Sequence, residues 1–221
     1  MPRKKFDRSL LPEAPNLEFE QALWDAGVSV VAGVDEAGRG ALAGPVAAGV
    51  VVLPNSKEIQ STLAGVRDSK QISQKKREEM LEVISRQAVS CQVGFGWPEE
   101  IDRLGIVPAT RLAAVRALKK VVEKPGHLLI DAISIPEAAI EATSLIKGDQ
   151  RALSIAAASI AAKVTRDAYM VDLAAQYPGY GFEAHKGYGT LKHRQSIERL
   201  GPSAVHRMSF APMREEDDEE K

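Results

Sequence analysis

Apolar residues along this chain cluster into five short runs whose lengths are typical of β-strands. The runs are separated by polar, glycine or proline residues, which punctuate strands and turns. The predicted strands are Val28–Val34, Val46–Leu53, Val89–Trp97, His127–Ile133 and Ala142–Ile146. The first two lie close enough in sequence to form an antiparallel pair. The fourth is apolar on both faces, as expected of a strand inside a helix-covered sheet.

Helical patterns lie between and after these runs. Ser73 is placed to cap one helix through its side chain. A longer helix is predicted to open at Pro108 and to turn four apolar residues inward: Leu112, Val115, Leu118 and Val122. The predicted helical segments are Phe19–Ala26, Ser73–Gln87, a turn from Pro98, Pro108–Glu123, Ser154–Gln176 and Thr190–Leu200.

The order of these elements predicts an α/β fold with a five-stranded mixed sheet, because strands come first in a run and then alternate with helices. The helix from Ser154 begins with so many alanines that we expect it to pack unusually close to the sheet. We expect four parts along the chain: an N-terminal arm (1–26), a main domain that contains the sheet (27–180), a C-terminal helical part (181–213) and an acidic, disordered tail (214–221).

Composition narrows the class of protein. The chain has 221 residues, of which 44% are hydrophobic, enough for one sizeable core. The single cysteine, Cys91, excludes an internal disulfide and fits a reducing cytoplasm. The basic start lacks the apolar run of a secretory signal, and the stretch from Ile155 to Ala162 is too short to span a bilayer. We therefore expect a cytoplasmic protein without a membrane segment. We also expect a monomer.

The net charge of −1 conceals an uneven distribution. The last seven residues carry six acids and one base, whereas the first eight carry four bases and one acid. A near-neutral body does not by itself indicate nucleic-acid binding. If bound metal neutralised four of its acids, however, the remaining surface would be clearly basic.

Four acidic residues stand at or near the ends of apolar runs rather than on polar helix faces: Asp35, Glu36, Asp131 and Asp149. A carboxylate inside the sequence LLIDAI is costly to bury unless something compensates its charge. Hard divalent cations prefer such oxygen ligands, and two Mg²⁺ or Mn²⁺ ions would balance four carboxylates. Such a pair of ions is suited to phosphodiester hydrolysis.

Less specific interpretations of these acids remain open. Asp35 and Glu36 can belong to an ordinary hairpin turn, Asp131 can pair with a buried arginine or backbone amides, and Asp149 can be a turn or cap residue. Neighbouring strand residues also point to opposite faces. Asp35 and Glu36 can therefore share one site only if the strand ends there.

Three further features bear on substrate binding. Gly38-Arg39-Gly40 follows the acid pair and allows a sharp turn close to a phosphate or sugar. Lys163 lies four residues from Asp167 on one helix face, where it either approaches a phosphate or forms an ordinary ion pair. The stretch 185–207 combines bases, including Lys186, with histidines and Tyr188. Such a composition suits nucleic-acid contact, or a solvated surface.

Several separated motifs, taken together in the order in which they occur along the chain, resemble those of the type 2 ribonuclease H family, ribonuclease HII. They cover the chain from about Val31 to Pro212 and are GVDEAGRG (33–40), DSK (68–70), LLID (128–131), KGD (147–149), AASIAAKVTRD (157–167) and HKGYGT (185–190). Each motif alone is weak, whereas their joint occurrence is highly specific.

The resemblance implies a ribonuclease H fold and Mg²⁺- or Mn²⁺-dependent cleavage of RNA in RNA–DNA duplexes. It also implies incision 5′ to a single ribonucleotide in DNA, leaving a 3′-hydroxyl and a 5′-phosphate. The family's four active-site acids correspond to Asp35, Glu36, Asp131 and Asp149. Its 2′-hydroxyl-reading turn corresponds to Gly38, Arg39 and Gly40, and its sugar-stacking tyrosine to Tyr188. Lys163 and Lys186 are predicted to bind phosphates.

One position departs from the family pattern, because Ala132 replaces the glycine that more often follows the third acid. Three functions compete at this point: an enzyme specific for RNA–DNA junctions, a ribonuclease H acting mainly on long hybrids, and a non-catalytic binder of hybrids. The intact glycine-arginine-glycine turn and Tyr188 favour the first over the second. The presence of all four acids opposes the third, because carboxylates repel phosphates.

Overall fold

The predicted five-stranded mixed sheet is present in the computed structural model, which describes residues 6–7, 11–66, 72–131 and 133–214. The strands are β1 (Val31–Ala37), β2 (Val46–Val52), β3 (Ser90–Gly96), β4 (His127–Asp131) and β5 (Glu141–Leu145). Their order across the sheet is β3-β2-β1-β4-β5. The antiparallel pairing of β1 with β2 is confirmed, and β2 pairs antiparallel with β3. β1, β4 and β5 run parallel to one another.

Helices cover both faces of this sheet, as its apolar faces require. They are α1 (Glu18–Asp25), α2 (Glu58–Thr62), α3 (Gln74–Gln87), α4 (Pro98–Leu104), α5 (Ile106–Leu118), α6 (Leu153–Gln176), α7 (Phe182–His185) and α8 (Leu191–Leu200). Two short 3₁₀ turns, Pro136–Ala138 and Gly148–Gln150, flank β5. The predicted cap of α3 is confirmed, because the Ser73 side chain accepts a hydrogen bond from the Lys76 N–H.

The close packing predicted for the alanine-rich helix α6 is confirmed at two glycines of the sheet. A Cβ atom added at Gly49 would lie 2.2 Å from the Ala158 carbonyl oxygen, and one at Gly33 would lie 2.2 Å from the Ser154 carbonyl carbon. Such distances exclude any side chain, so the glycines let the helix backbone rest directly on β1 and β2. This contact brings α6 against the end of β1.

The prediction for the helix on the opposite face is wrong in its bounds and in its most deeply buried residues, although Val115 and Leu118 do pack against the core. α5 begins at Ile106 rather than Pro108 and ends at Leu118 rather than Glu123, and Val122 is 97% exposed. Its buried residues are Ala109, Thr110, Ala113, Ala114 and Ala117. The reason is again close approach: added Cβ atoms at Gly94 and Gly96 would lie 2.1 and 2.5 Å from carbonyl oxygens of α5. Only small residues fit there.

Segments on the N-terminal and C-terminal sides of the sheet contact α6 or the residues just before it. The Asn16 N–H donates to the Arg151 carbonyl at 3.1 Å, and the Leu153 N–H donates to the Asn16 carbonyl at 2.9 Å. Buried Glu20 accepts hydrogen bonds from the Ser154 N–H and hydroxyl. At the other end, Phe182 packs with Met170 of α6 in a small apolar cluster.

Some predictions fall outside the described residues. These are the DSK motif at 68–70, Ala132 and most of the acidic tail. The four-part division of the chain stays a prediction. Within the described ranges, none of the helices has the length and apolar character needed to cross a membrane.

Candidate active site

Three of the four predicted acids converge at one edge of the sheet. Asp35, Asp131 and Asp149 each present a carboxylate oxygen within 4.8 Å of the others. The register of the parallel strands explains the first two, because Val34 pairs with Ile130 and the next residue on each strand is an aspartate. Equivalent positions on adjacent strands project to the same face. Asp149 reaches the group from the 3₁₀ turn that connects β5 to α6.

Glu36 is not one of the three acids of this group, although it lines the neighbouring cleft together with Ser159 of α6. β1 does not end at the acid pair but continues to Ala37, so the alternation of strand side chains separates Glu36 from Asp35. The Glu36 Oε1 atom is 3.2 Å from Arg39 Nη1, and this ion pair is partly exposed. The role of Glu36 as a metal ligand stays a prediction.

The buried carboxylates repel one another. Burial raises the pKa of Asp35 well above its ordinary value, and the negative charges of Glu36 and Asp131 raise it further. The Ser159 side chain of α6 and the Glu36 N–H hydrogen-bond to Asp35 and partly oppose this effect. An anionic group built only of carboxylate oxygens has the chemistry that Mg²⁺ and Mn²⁺ prefer, so the residues present fit a divalent metal site.

The loop after β1 forms one wall of a cleft beside the acids. Gly38 has φ +89°, and a Cβ there would lie 1.9 Å from Arg166 Nε, so glycine is required. Two fully buried arginines hold this loop through its carbonyl oxygens. Arg166 donates to Pro45 and Ala43, and Arg207 donates to Gly38, Arg39 and Gly44.

The predicted substrate-binding residues of this loop share the cleft with two other predicted substrate-binding residues, Lys163 and Tyr188. Its volume is about 440 Å³, and it is lined by Glu36, Ala37, Gly38, Arg39, Gly40, Ser159, Lys163 and Tyr188. Lys163 donates to Asp167 at 2.8 Å, which confirms the predicted helix pair. The ammonium group of Lys163 and the guanidinium of Arg166 both lie 5.3 Å from the centre of the Tyr188 ring.

Lys186 does not line the cleft, although it lies two residues before Tyr188. Its side chain is buried, its ammonium donates to the Glu183 carbonyl, and its own carbonyl accepts from Arg166. A phosphate-binding role for Lys186 has no support from this placement. Arg207 likewise adds nothing to the basic surface, because its side chain is fully buried.

Sequence reasoning did not identify Arg166, Arg207 and Ser159 as residues that shape the site. An arginine inside an alanine-rich helix was the one available signal for Arg166, because charge in a buried helix must find partners. Burial lowers the pKa of Arg207 to about 9, and backbone carbonyls are its hydrogen-bond acceptors. Such acceptors cannot be recognised from residue types.

Known proteins similar to this chain agree on its family. The family described as Ribonuclease HII matches residues 32–213. The chain is 50% identical over 199 residues to Ribonuclease HII of Anaeromyxobacter sp. (strain Fw109-5), covering 90% of this chain and 62% of that protein. It is 49% identical over 201 residues to Ribonuclease HII of Synechococcus sp. (strain JA-3-3Ab), covering 91% and 90% respectively.

Solved structures similar to this chain give the same fold. The ribonuclease H2 of Pyrococcus horikoshii OT3 superposes with a TM-score of 0.70 at 27% identity, over 84% of this chain and 95% of that one. The ribonuclease HII of Archaeoglobus fulgidus, solved in a complex with PCNA, gives 0.69 at 26% identity, over 82% and 95%.

The fold and the buried acid group therefore define a hydrolytic nuclease of the ribonuclease H fold. Within that class, the extent of the sequence match decides the family. The chain belongs to the ribonuclease HII family.

Proposed function

We propose that this protein is an endoribonuclease that hydrolyses the RNA strand of RNA–DNA hybrids. We further propose that it cuts 5′ to single ribonucleotides in duplex DNA, leaving a 3′-hydroxyl and a 5′-phosphate, as a step in ribonucleotide excision repair. Family membership supports action on RNA–DNA substrates. The observation that carries the finer proposal is the position of the Gly38–Gly40 loop and Tyr188 in one cleft that also contains Glu36, next to the acid group.

Asp35, Asp131 and Asp149, together with Glu36, would hold two Mg²⁺ or Mn²⁺ ions. Bound divalent ions of this kind favour ionisation of an attacking water and neutralise charge on the departing 3′-oxygen. The chain's own contribution is to hold the ligands on two rigid strands and a tight turn, with Ser159 orienting Asp35 from α6. Glu36 would join them through a carboxylate whose Oε1 atom also accepts a hydrogen bond from Arg39.

The cleft would read the sugar at the junction. The 2′-hydroxyl distinguishes RNA from DNA, and backbone groups of Gly38, Arg39 and Gly40 would contact it. Arg207 donates to the carbonyls of Gly38 and Arg39 at 2.8 Å, and these bonds would hold the loop in place beside Asp35. Tyr188 would pack under the neighbouring deoxyribose, and Lys163 at the same wall would contact a phosphate.

Cleavage of two matched duplexes tests this function. One contains a single ribonucleotide within DNA and the other a full RNA strand on DNA, each with Mg²⁺, Mn²⁺ or EDTA. We expect cleavage 5′ to the single ribonucleotide only with metal, and a 3′ end that a DNA polymerase extends. Asp131→Asn should abolish cutting, whereas Asp25→Asn, the same change at an exposed helix end, should not. Uncut single-ribonucleotide duplex with unmodified protein would refute the proposal.

We also propose that the protein acts as a monomer in the cytoplasm. The single half-buried cysteine, Cys91, supports a reducing compartment. Light scattering coupled to size-exclusion chromatography should give a mass near 23.9 kDa, and a dimer mass would contradict this proposal.

A further inference from the structure

Three histidine rings pack against one another next to Tyr188, which lines the cleft. The centroids of His185 and His193 are 4.3 Å apart with nearly parallel planes, and those of His193 and His206 are 5.3 Å apart. The ring of Phe182 contacts all three rings. His193 and His206 are almost completely buried. They lie outside the acid group and contribute no lining to the cleft.

The contacts of His206 define where its proton lies. The Ser203 N–H lies 2.9 Å from His206 Nδ1 and can only donate, so Nδ1 is the accepting nitrogen. In a neutral imidazole the other nitrogen then carries the proton. His206 Nε2 is 3.2 Å from His193 Nε2 and therefore donates to it.

The hydrogen bonds of His193 run in the same direction from donor to acceptor. Its Nε2 accepts from His206, so its proton is on Nδ1, which lies 3.0 Å from the Tyr188 carbonyl oxygen. Burial lowers the pKa of His193 to about 4, which keeps the ring neutral and able to accept and donate at once. A directional chain of hydrogen bonds thus runs from Ser203 through His206 and His193 to Tyr188.

This chain is joined to the backbone that carries the cleft. The Tyr188 carbonyl also accepts from the Thr190 N–H at 2.8 Å, and the Thr190 hydroxyl caps α8 by accepting from the His193 N–H. On its other side, Tyr188 forms a β-bridge with Ala41, next to Gly40. The position of the Tyr188 ring relative to the glycine-arginine-glycine loop therefore depends on a carbonyl that His193 holds.

We propose that His193, oriented by His206, is a positioning residue for Tyr188 and thereby sets the preference for an RNA–DNA junction over a long hybrid. This inference rests on the proposed function, because it assigns Tyr188 to the sugar at the junction. Neither histidine touches the substrate in this scheme.

Two variants of His193 separate positioning from packing. His193→Asn places an amide donor near the position of Nδ1 and keeps the bond to Tyr188, whereas His193→Leu fills the space without a donor. His127→Leu is the control, because His127 lies at the opposite end of β4 from Asp131. Each protein is assayed for kcat/KM on the single-ribonucleotide duplex and on the long hybrid.

We expect His193→Leu to lower the ratio of kcat/KM on the single-ribonucleotide duplex to kcat/KM on the long hybrid about three- to tenfold, in line with the loss of one hydrogen bond. His193→Asn should restore most of the ratio, and His127→Leu should leave it unchanged. Equal ratios in unmodified protein and His193→Leu, or equal losses in the Leu and Asn variants, would overturn the inference.

A spectroscopic measurement decides the hydrogen-bond chain without activity. In ¹⁵N-labelled unmodified protein, His193 should be the Nδ1–H tautomer and His206 the Nε2–H tautomer at neutral pH. The reverse tautomers, or a charged ring, would overturn the inference even if a variant failed to fold. If unmodified protein does not cut the single-ribonucleotide duplex, the proposed function itself fails, and the tautomers still report on the hydrogen-bond chain.

Discussion

Removing one charge from the acid group should stabilise the metal-free protein while abolishing its activity. Asp131→Asn keeps the shape of the side chain and an oxygen that accepts from the Gly148 N–H, which donates to Asp131 Oδ1 at 3.0 Å. It removes one of the negative charges that raise the pKa of Asp35. The variant therefore relieves repulsion without breaking this hydrogen bond.

The size of the gain follows from the spacing of the carboxylates. Two unit charges 4.8 Å apart repel by about 3.5 kcal/mol at an effective dielectric constant of about 20. The raised pKa of Asp35 means that protonation of this carboxyl relieves part of the repulsion, so the full value is an upper bound. We therefore expect about 1–3 kcal/mol more free energy of unfolding near pH 8, or roughly 3–10 °C in Tm for a chain of this length.

The dependence of the stability on pH follows from the raised pKa of Asp35. The folded protein holds the Asp35 proton at pH values where the unfolded chain has released it, so this site lowers stability as pH rises above the ordinary aspartate range. The advantage of Asp131→Asn over unmodified protein should thus grow from pH 4 to pH 8.

Thermal unfolding in EDTA and in Mg²⁺, followed by circular dichroism, measures both effects. Mg²⁺ should raise the Tm of unmodified protein more than that of Asp131→Asn, because binding to the folded state stabilises it. Asp25→Asn serves as the charge-matched control on the exposed end of α1. An Asp131→Asn protein less stable than unmodified protein in EDTA would refute the reasoning about repulsion.

Three other predictions concern the cleft and the arm. Gly38→Ala should lower the free energy of unfolding by at least about 2 kcal/mol in urea titrations, because Gly38 has a positive φ and an added Cβ would clash with Arg166. Gly40→Ala is the control, because a Cβ there would have no atom within 4 Å, and equal stabilities of the two variants would contradict the prediction. Arg39→Gln should change the stability by less than about 1 kcal/mol, because its ion pair is partly exposed, but should raise KM for the single-ribonucleotide duplex; an unchanged KM would exclude a substrate contact. Burial raises the pKa of Glu20, so the contribution of Glu20 to the free energy of unfolding falls as pH rises above the ordinary glutamate range. Glu20→Gln should therefore flatten the dependence of the free energy of unfolding on pH. An unchanged slope would show that Glu20 does not cause this dependence.

Much of the fold could be predicted because its signals are local. Each strand appeared as an apolar run with turn residues on either side, and the cap of α3 as a serine at the right place. The buried face of α5 could not be predicted the same way. Its larger residues Leu112 and Val115 suggested the inward side, but Gly94 on a strand distant in sequence selects alanine for the contact.

The candidate site likewise combines features that the sequence could predict with features that it could not. The ends of apolar runs marked Asp35 and Asp131, since a carboxylate there is costly unless something compensates it. Their proximity follows from a parallel register that no local pattern specifies. The continuation of β1 to Ala37 turned Glu36 toward Arg39.

The amino-acid sequence by itself therefore determined which runs form strands, which acids lie near strand ends and that the turn after β1 contains glycine, because these depend on the free energy of placing each residue type in its local setting. Only the tertiary structure decided that Arg166, Arg207 and Lys186 are buried and that His193 holds Tyr188. A buried arginine or histidine is tolerated only where acceptors converge from distant segments, as the carbonyls of Gly38 and Gly44 do around Arg207.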